Sequence, residues 1–295
     1  MQLQGSITAL ITPFTESGVL DLNAWRAQID RQLNSGTSAI VVAGSTGEAA
    51  ALADDEYAQL IELASIRVSG RVPILAGTGL SGTTKTIKQS KLARESGADI
   101  ALVVTPPYVR PTQEGLKAHY LAVANALDIP VVLYNVPGRT GCDLLPETVA
   151  ELCNHYNIIG LKEAVGDESR WQALYPLASP GFSLLSGDDP TFVRAMCGGA
   201  QGVISVASNA VPATFARICR MLEEGNLESA RELDAQLGSL YGFLGVEPNP
   251  IPIKAIMALL GFGKGLRMPL LPLSDTYALQ AQQMAELCKT MEQTP

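Results

Sequence analysis

Eight short apolar runs, each followed by a stretch with helical spacing, limit this chain to very few architectures. The runs occupy residues 6–11, 39–43, 73–76, 100–104, 130–134, 158–162, 183–186 and 202–206. Several are apolar almost throughout instead of alternating, the pattern of parallel strands buried on both faces. Between them lie helical patterns. Residues 22–34 place Leu22, Trp25, Ile29 and Leu33 along one stripe. Residues 54–68 start at Asp54, an N-cap candidate, and carry Tyr57, Leu60, Ile61 and Ala64 on one face. Ser81 or Thr83 can cap a helix running to Glu95, and Gly97 can stop it. Residues 113–127 and 146–153 continue the alternation, the latter with Pro146 at its start. Eight βα units predict an α/β fold, a (β/α)8 TIM barrel. A doubly wound sheet is the alternative, but no dinucleotide fingerprint follows the first run.

Strand signals stop after Glu223. Residues 227–243, 251–260 and 274–290 read as helices. The expected division is therefore a catalytic barrel over 1–223 and a C-terminal helical extension over 224–295. The proline-rich segment 247–252 reads as a rigid, extended hinge between two of those helices.

Charge and cysteine usage narrow the function. The net charge is −8, and no basic stripe or aromatic–basic cluster occurs, which argues against nucleic acid or an anionic membrane as partner. No apolar run approaches the roughly 18 residues of a membrane span. The first residues, Met1-Gln2-Leu3-Gln4-Gly5, lack the positive start of a signal peptide. Cys142, Cys153, Cys197, Cys219 and Cys288 are odd in number, widely spread and never in a CxxC pair, and only His119 and His155 could join them around a metal. The expectation is a reduced, soluble, cytoplasmic protein with no metal site and no cofactor.

Lys162 stands out against that background. It ends the apolar run Ile158-Ile159-Gly160-Leu161-Lys162. Burying an ammonium is costly unless it is paired or loses its proton. Burial lowers the pKa of a lysine, and a neutral amine can condense with a ketone. The competing reading is a lysine at a strand end that snorkels to water or pairs with Glu163. Adjacent strand residues point to opposite faces, so Glu163 should not reach the Lys162 amine.

Barrel enzymes carry their chemistry at the carboxyl ends of the strands. Residues just past the eight runs include Gly44-Ser45-Thr46-Gly47-Glu48, Thr105-Pro106-Pro107-Tyr108, Tyr134-Asn135-Val136-Pro137-Gly138-Arg139-Thr140-Gly141, Lys162-Glu163 and Gly187-Asp188-Asp189. Ser45 and Thr46 could hold a small carboxylate with hydroxyls and backbone N–H groups, or simply cap the next helix. Tyr134 could carry protons, or be a core tyrosine with a satisfied hydroxyl. Arg139 suits a carboxylate clamp, or is a solvated loop arginine. Tyr108 follows two prolines and either projects into a neighbouring subunit or caps its own barrel. Asp188 and Asp189 could bind a metal or cap the following helix. His119 and His155 receive no role.

These segments resemble the pyruvate-dependent class I aldolase family that includes N-acetylneuraminate lyase. The likeness extends over essentially the whole chain. Residues 44–48 match the family's G-[ST]-T-G-E loop, residues 134–140 its Y-N-x-P-x-R-T segment, and residues 160–164 its lysine strand. Arg139 marks the branch that condenses pyruvate with L-aspartate 4-semialdehyde on the route to diaminopimelate and lysine. The resemblance implies that Lys162 forms the imine with pyruvate. It implies that Ser45 and Thr46 hold the pyruvate carboxylate and that Ser45, Tyr134 and Tyr108 form a proton relay. Tyr108 would come from the adjoining subunit of a homotetramer, a dimer of dimers, or of a homodimer. Arg139 would bind the carboxylate of aspartate 4-semialdehyde, and Gly187 and the Ile204 backbone would line the pyruvate pocket. No cofactor is implied.

Departures from the family pattern are informative too. Lys85 stands where lysine-inhibited members carry glutamate. Pro107 stands where they carry an aromatic residue, and Asp54 and Tyr57 where histidines are common. A cation facing a cationic effector is repulsive, so inhibition by lysine should be weak or absent. Two rival functions stay open at this point. One is a sibling lyase that releases pyruvate from a sugar-derived 2-keto acid. The other is a barrel that binds a small carboxylate or phosphate without turnover, using the glycine-rich segment 197–202.

Overall fold

A computed structural model describes residues 2–293. Its first half reads β1 (Gly5–Ala9), α1 (Leu22–Asn34), β2 (Ala39–Val42), α2 (Asp54–Val68), β3 (Ile74–Gly77), α3 (Thr83–Glu95), β4 (Ile100–Val104), α4 (Gln113–Asn125) and β5 (Val131–Asn135). A one-turn α5 (Pro137–Thr140) and α6 (Pro146–Leu152) lead to β6 (Ile158–Glu163), α7 (Glu168–Leu174), β7 (Ser183–Ser186), α8 (Phe192–Gly198), β8 (Gly202–Ser205) and α9 (Pro212–Glu223). The chain closes with α10 (Leu227–Ala235), α11 (Gly238–Leu244), α12 (Ile251–Leu259) and α13 (Ala278–Gln293). The eight strands form one closed parallel barrel in sequence order, with β1 pairing β8. The fold is a TIM barrel followed by helices.

Strand alternation decides what each face buries. Ile7, Ala9, Val41, Leu75, Leu102, Val132, Leu185 and Ile204 fill the barrel interior with Tyr134. Their neighbours point outward. Val42 and Ala76 meet Trp25 and Ile29 of α1 and Leu60 and Ile61 of α2. Val103 and Leu133 meet Leu116, Tyr120 and Val123 of α4. The later helices share a single apolar cluster with the barrel wall: Phe215 and Ile218 of α9 pack with Phe243 of α11, Ile253 and Ile256 of α12, and Met284 and Cys288 of α13.

Four local expectations change. Asp54 lies inside the first turn of α2, and Ala53 takes the cap position, its N–H held by the Glu56 carboxylate at 3.1 Å. Gly82, not Ser81 or Thr83, takes the cap of α3, because the Thr83 hydroxyl is engaged by His119 Nδ1 at 2.9 Å. Gly97, at φ +103°, does follow the end of that helix. The single helix expected over 227–243 divides after Ala235. The N–H of Leu237 turns back to the Asp234 carbonyl, and Leu237 is fully buried before Gly238 restarts the helix. Residues 247–252 are a tight turn, not an extended hinge: the Ile251 N–H reaches the Pro248 carbonyl, and Pro252 sits in the first turn of α12, where a missing N–H does no harm.

Candidate active site

Lys162 is the penultimate residue of β6 and points into the barrel. Its register partners are Tyr134 on β5 and Leu185 on β7, so all three side chains share the inner face. Lys162 is 6% exposed and makes no ion pair among the described residues. Its Nζ lies 4.3 Å from the centroid of the Tyr134 ring. Burial lowers its pKa to about 8; Asp189 opposes the fall and the Arg139 cation adds to it.

Gly187 follows β7 and makes room for that amine. A Cβ at this position would stand 2.8 Å from Lys162 Cε and 3.1 Å from its Cγ. Any side chain there would push the lysine aside.

Tyr134 is buried, and burial pushes its phenol up to about 12, against the pull of Arg139 and a hydrogen bond with the Ser45 side chain. Ser45 and Thr46 sit in the turn after β2. Ser45 is exposed at the mouth, whereas Thr46 is buried. The Asn249 amide donates to the Thr46 hydroxyl at 3.1 Å, while the Asn249 carbonyl accepts from the Arg139 guanidinium at 2.9 Å. Asn249 therefore joins the turn after β2 to the loop after β5. Ile204 is fully buried on β8, within the barrel interior.

These placements bring Lys162, Tyr134, Ser45, Thr46, Arg139 and Gly187 to one mouth of the barrel. Tyr108 stands apart. It is 93% exposed and carries a left-handed backbone at φ +75°, its N–H held by the Thr140 carbonyl at 3.1 Å. A non-glycine residue in that conformation is strained unless its surroundings fix it.

Behind the strand, Glu163 faces away from the amine. Its carboxylate accepts the Asn135 amide at 3.1 Å and the Val165 N–H at 2.8 Å, and burial raises its pKa to about 7. Asn135 also donates to Asp143, which pairs with Arg170.

The aspartate pair after β7 does not cap α8. Asp189 turns to the neighbouring strand end and accepts the N–H groups of Val206 and Ala207 at 3.1 and 2.8 Å; Asp188 takes the Thr191 hydroxyl at 2.6 Å. Thr191 holds the cap position, but its side chain caps no N–H of the helix. Burial raises the Asp189 pKa to about 6. Among the described residues no group of three or more His, Cys, Asp or Glu side chains could hold a metal ion.

The glycine-rich segment 197–202 offers no phosphate cradle at this mouth. It precedes β8, at the opposite end of the barrel, and the N–H groups of Gly199, Ala200 and Gln201 are already bonded to backbone carbonyls.

Two residues escaped the sequence reading. Asn249 lies in the turn read as a hinge, with no local pattern to betray it. Glu48 was visible in its motif but had no partner until α12 was in place.

Comparison with known proteins agrees over nearly the full length. The model of the dihydrodipicolinate synthetase family matches residues 2–288. The 4-hydroxy-tetrahydrodipicolinate synthase of Xanthomonas axonopodis pv. citri is 58% identical over 285 residues, 97% of this chain and 94% of that protein. A dihydrodipicolinate synthase from Acinetobacter baumannii, solved in complex with pyruvate, superposes with a TM-score of 0.95 at 38% identity, covering 98% of this chain and 99% of that one. A variant described as the first monomeric dihydrodipicolinate synthase superposes at 0.94 with 39% identity, covering 97% of each chain.

Proposed function

The chain belongs to the dihydrodipicolinate synthetase family, and from that premise we propose that it condenses pyruvate with L-aspartate 4-semialdehyde to give 4-hydroxy-tetrahydrodipicolinate and water, as a carbon–oxygen lyase of class I aldolase mechanism. The observation that carries the mechanism is a buried lysine that makes no ion pair among the described residues, beside a tyrosine ring and a glycine that leaves it space.

At a pKa of about 8, about a tenth of the Lys162 amine is neutral at pH 7, against well under a thousandth for a lysine in water. The neutral amine attacks the ketone carbon of pyruvate, and loss of water leaves a protonated imine. That imine withdraws electrons, so the methyl group gives up a proton and becomes an enamine carbon nucleophile. Ser45 and Thr46 hold the pyruvate carboxylate through hydroxyls and backbone N–H groups. Tyr134, hydrogen-bonded to Ser45, passes protons in these steps; its high pKa keeps it a phenol between transfers.

The enamine carbon then adds to the aldehyde of the second substrate, whose carboxylate Arg139 grips. The α-amino group of that substrate attacks the imine carbon. Lys162 departs as the amine and the ring closes. Atoms balance: two substrates in, one heterocycle and one water out.

Tyr108 belongs to the same relay in a dimer, where its exposed ring enters the mouth of the adjoining subunit. We infer a homodimer or a dimer of dimers. Assembly varies among relatives, since one is described as monomeric. No described helix is long and apolar enough to cross a membrane, and a place in the cytoplasm fits that.

The test joins two measurements. Pyruvate with borohydride should leave a stable adduct on Lys162, located by peptide mass. Turnover of pyruvate with aspartate semialdehyde should appear in a coupled assay. An adduct without that turnover, accompanied by release of pyruvate from a keto-deoxy sugar acid, would point to the sibling lyase instead.

A further inference from the structure

Lys254 on α12 is a second buried lysine, 5% exposed, and its ammonium pairs with Glu48, itself 5% exposed. Glu48 closes the turn that carries Ser45 and Thr46. Its backbone is left-handed at φ +53°, and its N–H bonds back to the Ser45 carbonyl at 3.2 Å. Both carboxylate oxygens are committed, one to Lys254 and the other to the Arg267 N–H at 3.0 Å. Both residues also meet one ring: Lys254 Nζ and Arg267 Cζ each lie 4.3 Å from the centroid of Phe14, in the loop after β1. Arg267 is anchored in turn by Glu56, through two contacts of 2.5 Å, and by the carbonyls of Gly18 and Ala51, each at 2.9 Å.

We propose that this Glu48–Lys254–Arg267 cluster is a positioning device that fixes the Ser45–Thr46 turn for the pyruvate carboxylate, so that residues outside the barrel set the affinity for the first substrate. Stability alone is a weak reason for such a pair, because well-packed apolar residues usually hold a core as well as a buried ion pair does. Direction is what the pair adds. An ionic contact fixes the Glu48 carboxylate at one point, and Glu48 transmits that point to Ser45 through the backbone of a left-handed residue. Displacements of about 1 Å can cost about a hundredfold where reacting groups must meet. None of the three touches the reacting atoms; each acts through the turn.

The inference rests on the functional reading above, so wild type is the first arm. It should trap pyruvate at Lys162; an absent adduct would overturn both readings together. Lys254→Met should then raise KM for pyruvate about tenfold or more, while KM for aspartate semialdehyde stays within about twofold. The double variant Glu48→Gln with Lys254→Met removes the unpaired charge. It should recover much of the melting temperature lost in the single variant, yet keep the raised pyruvate KM. Positioning is overturned if either folded variant keeps a wild-type pyruvate KM, or if both KM values rise together. It is also overturned if pyruvate KM recovers in step with the melting temperature, or if neither variant folds, since the cluster would then serve the fold alone.

Discussion

Lys162 and Lys254 are both nearly inaccessible, and each ammonium lies 4.3 Å from the centre of an aromatic ring. One difference separates them. Lys254 has a carboxylate, Glu48, against its ammonium; Lys162 makes no ion pair among the described residues, and Asp189, which acts on it only through its charge, has its Oδ2 engaged by the backbone just past β8. Burial presses both pKa values down, but at Lys254 the Glu48 partner pushes back through hydrogen bond and charge. Burial by itself does not make a nucleophile. Both amines end below the ordinary lysine value, and what differs is the ion pair that Lys254 has and Lys162 lacks.

The two lysines should part most widely when Lys162 is removed. Lys162→Ala should abolish the borohydride adduct and lower turnover by about ten-thousandfold or more, with Lys254 unmodified throughout. An adduct at Lys254 would show that the pairing does not matter. Next in size is Arg139→Ala. It should raise KM for the semialdehyde about a hundredfold, as loss of a charged clamp on a carboxylate does, while pyruvate trapping persists.

Tyr134→Phe keeps the ring and removes the hydroxyl. Turnover should fall about a hundredfold through lost proton transfer, with Lys162 still buried. A fall in trapping to zero would mean that the hydroxyl, not burial, governs the amine.

Asp189→Asn sharpens the electrostatics. Asp189 raises the Lys162 pKa, so its removal should move that pKa further below 8. Because the neutral amine is the reactive form, imine formation in wild type should rise as pH climbs through about 8, and the variant's rise should come at lower pH. A shift to higher pH would contradict the sign. The smallest effect concerns a third lysine, exposed Lys85 on α3. Free lysine at sub-millimolar concentration should leave the rate unchanged, as measured in the coupled assay.

Much of this was readable in the chain. Strand positions followed from β-branched runs buried on both faces, and the opposite facing of Lys162 and Glu163 from the alternation of side chains along a strand. The residues that hold the site together were harder. Asn249 bonds to Thr46 more than two hundred residues away, and Glu48 meets Lys254 across a similar span. Such contacts depend on how the later helices dock, which no local periodicity records. The turn at 247–252 misled for a related reason. Prolines restrict the chain to extended or turn geometries alike, and only the docked position of α12 selects between them. Asp189 failed differently: an aspartate before a helix usually caps it, yet Val206 and Ala207, just past β8, offered two N–H groups in a buried setting, which held the stronger claim.

The close approach of Gly187 to Lys162 has a consequence for how the sequence can vary. With lysine at 162, a change at 187 is tolerable to the fold, since the lysine tip can swing aside, but it moves the amine. With alanine at 162, the same change loses its two closest contacts and meets the Ala164 Cβ, at 3.3 Å. The effect of a mutation at 187 therefore reverses its character with the residue at 162. A library that varies the two positions separately would miss this dependence, and one that varies them together should reveal it as strong epistasis in activity with little in melting temperature.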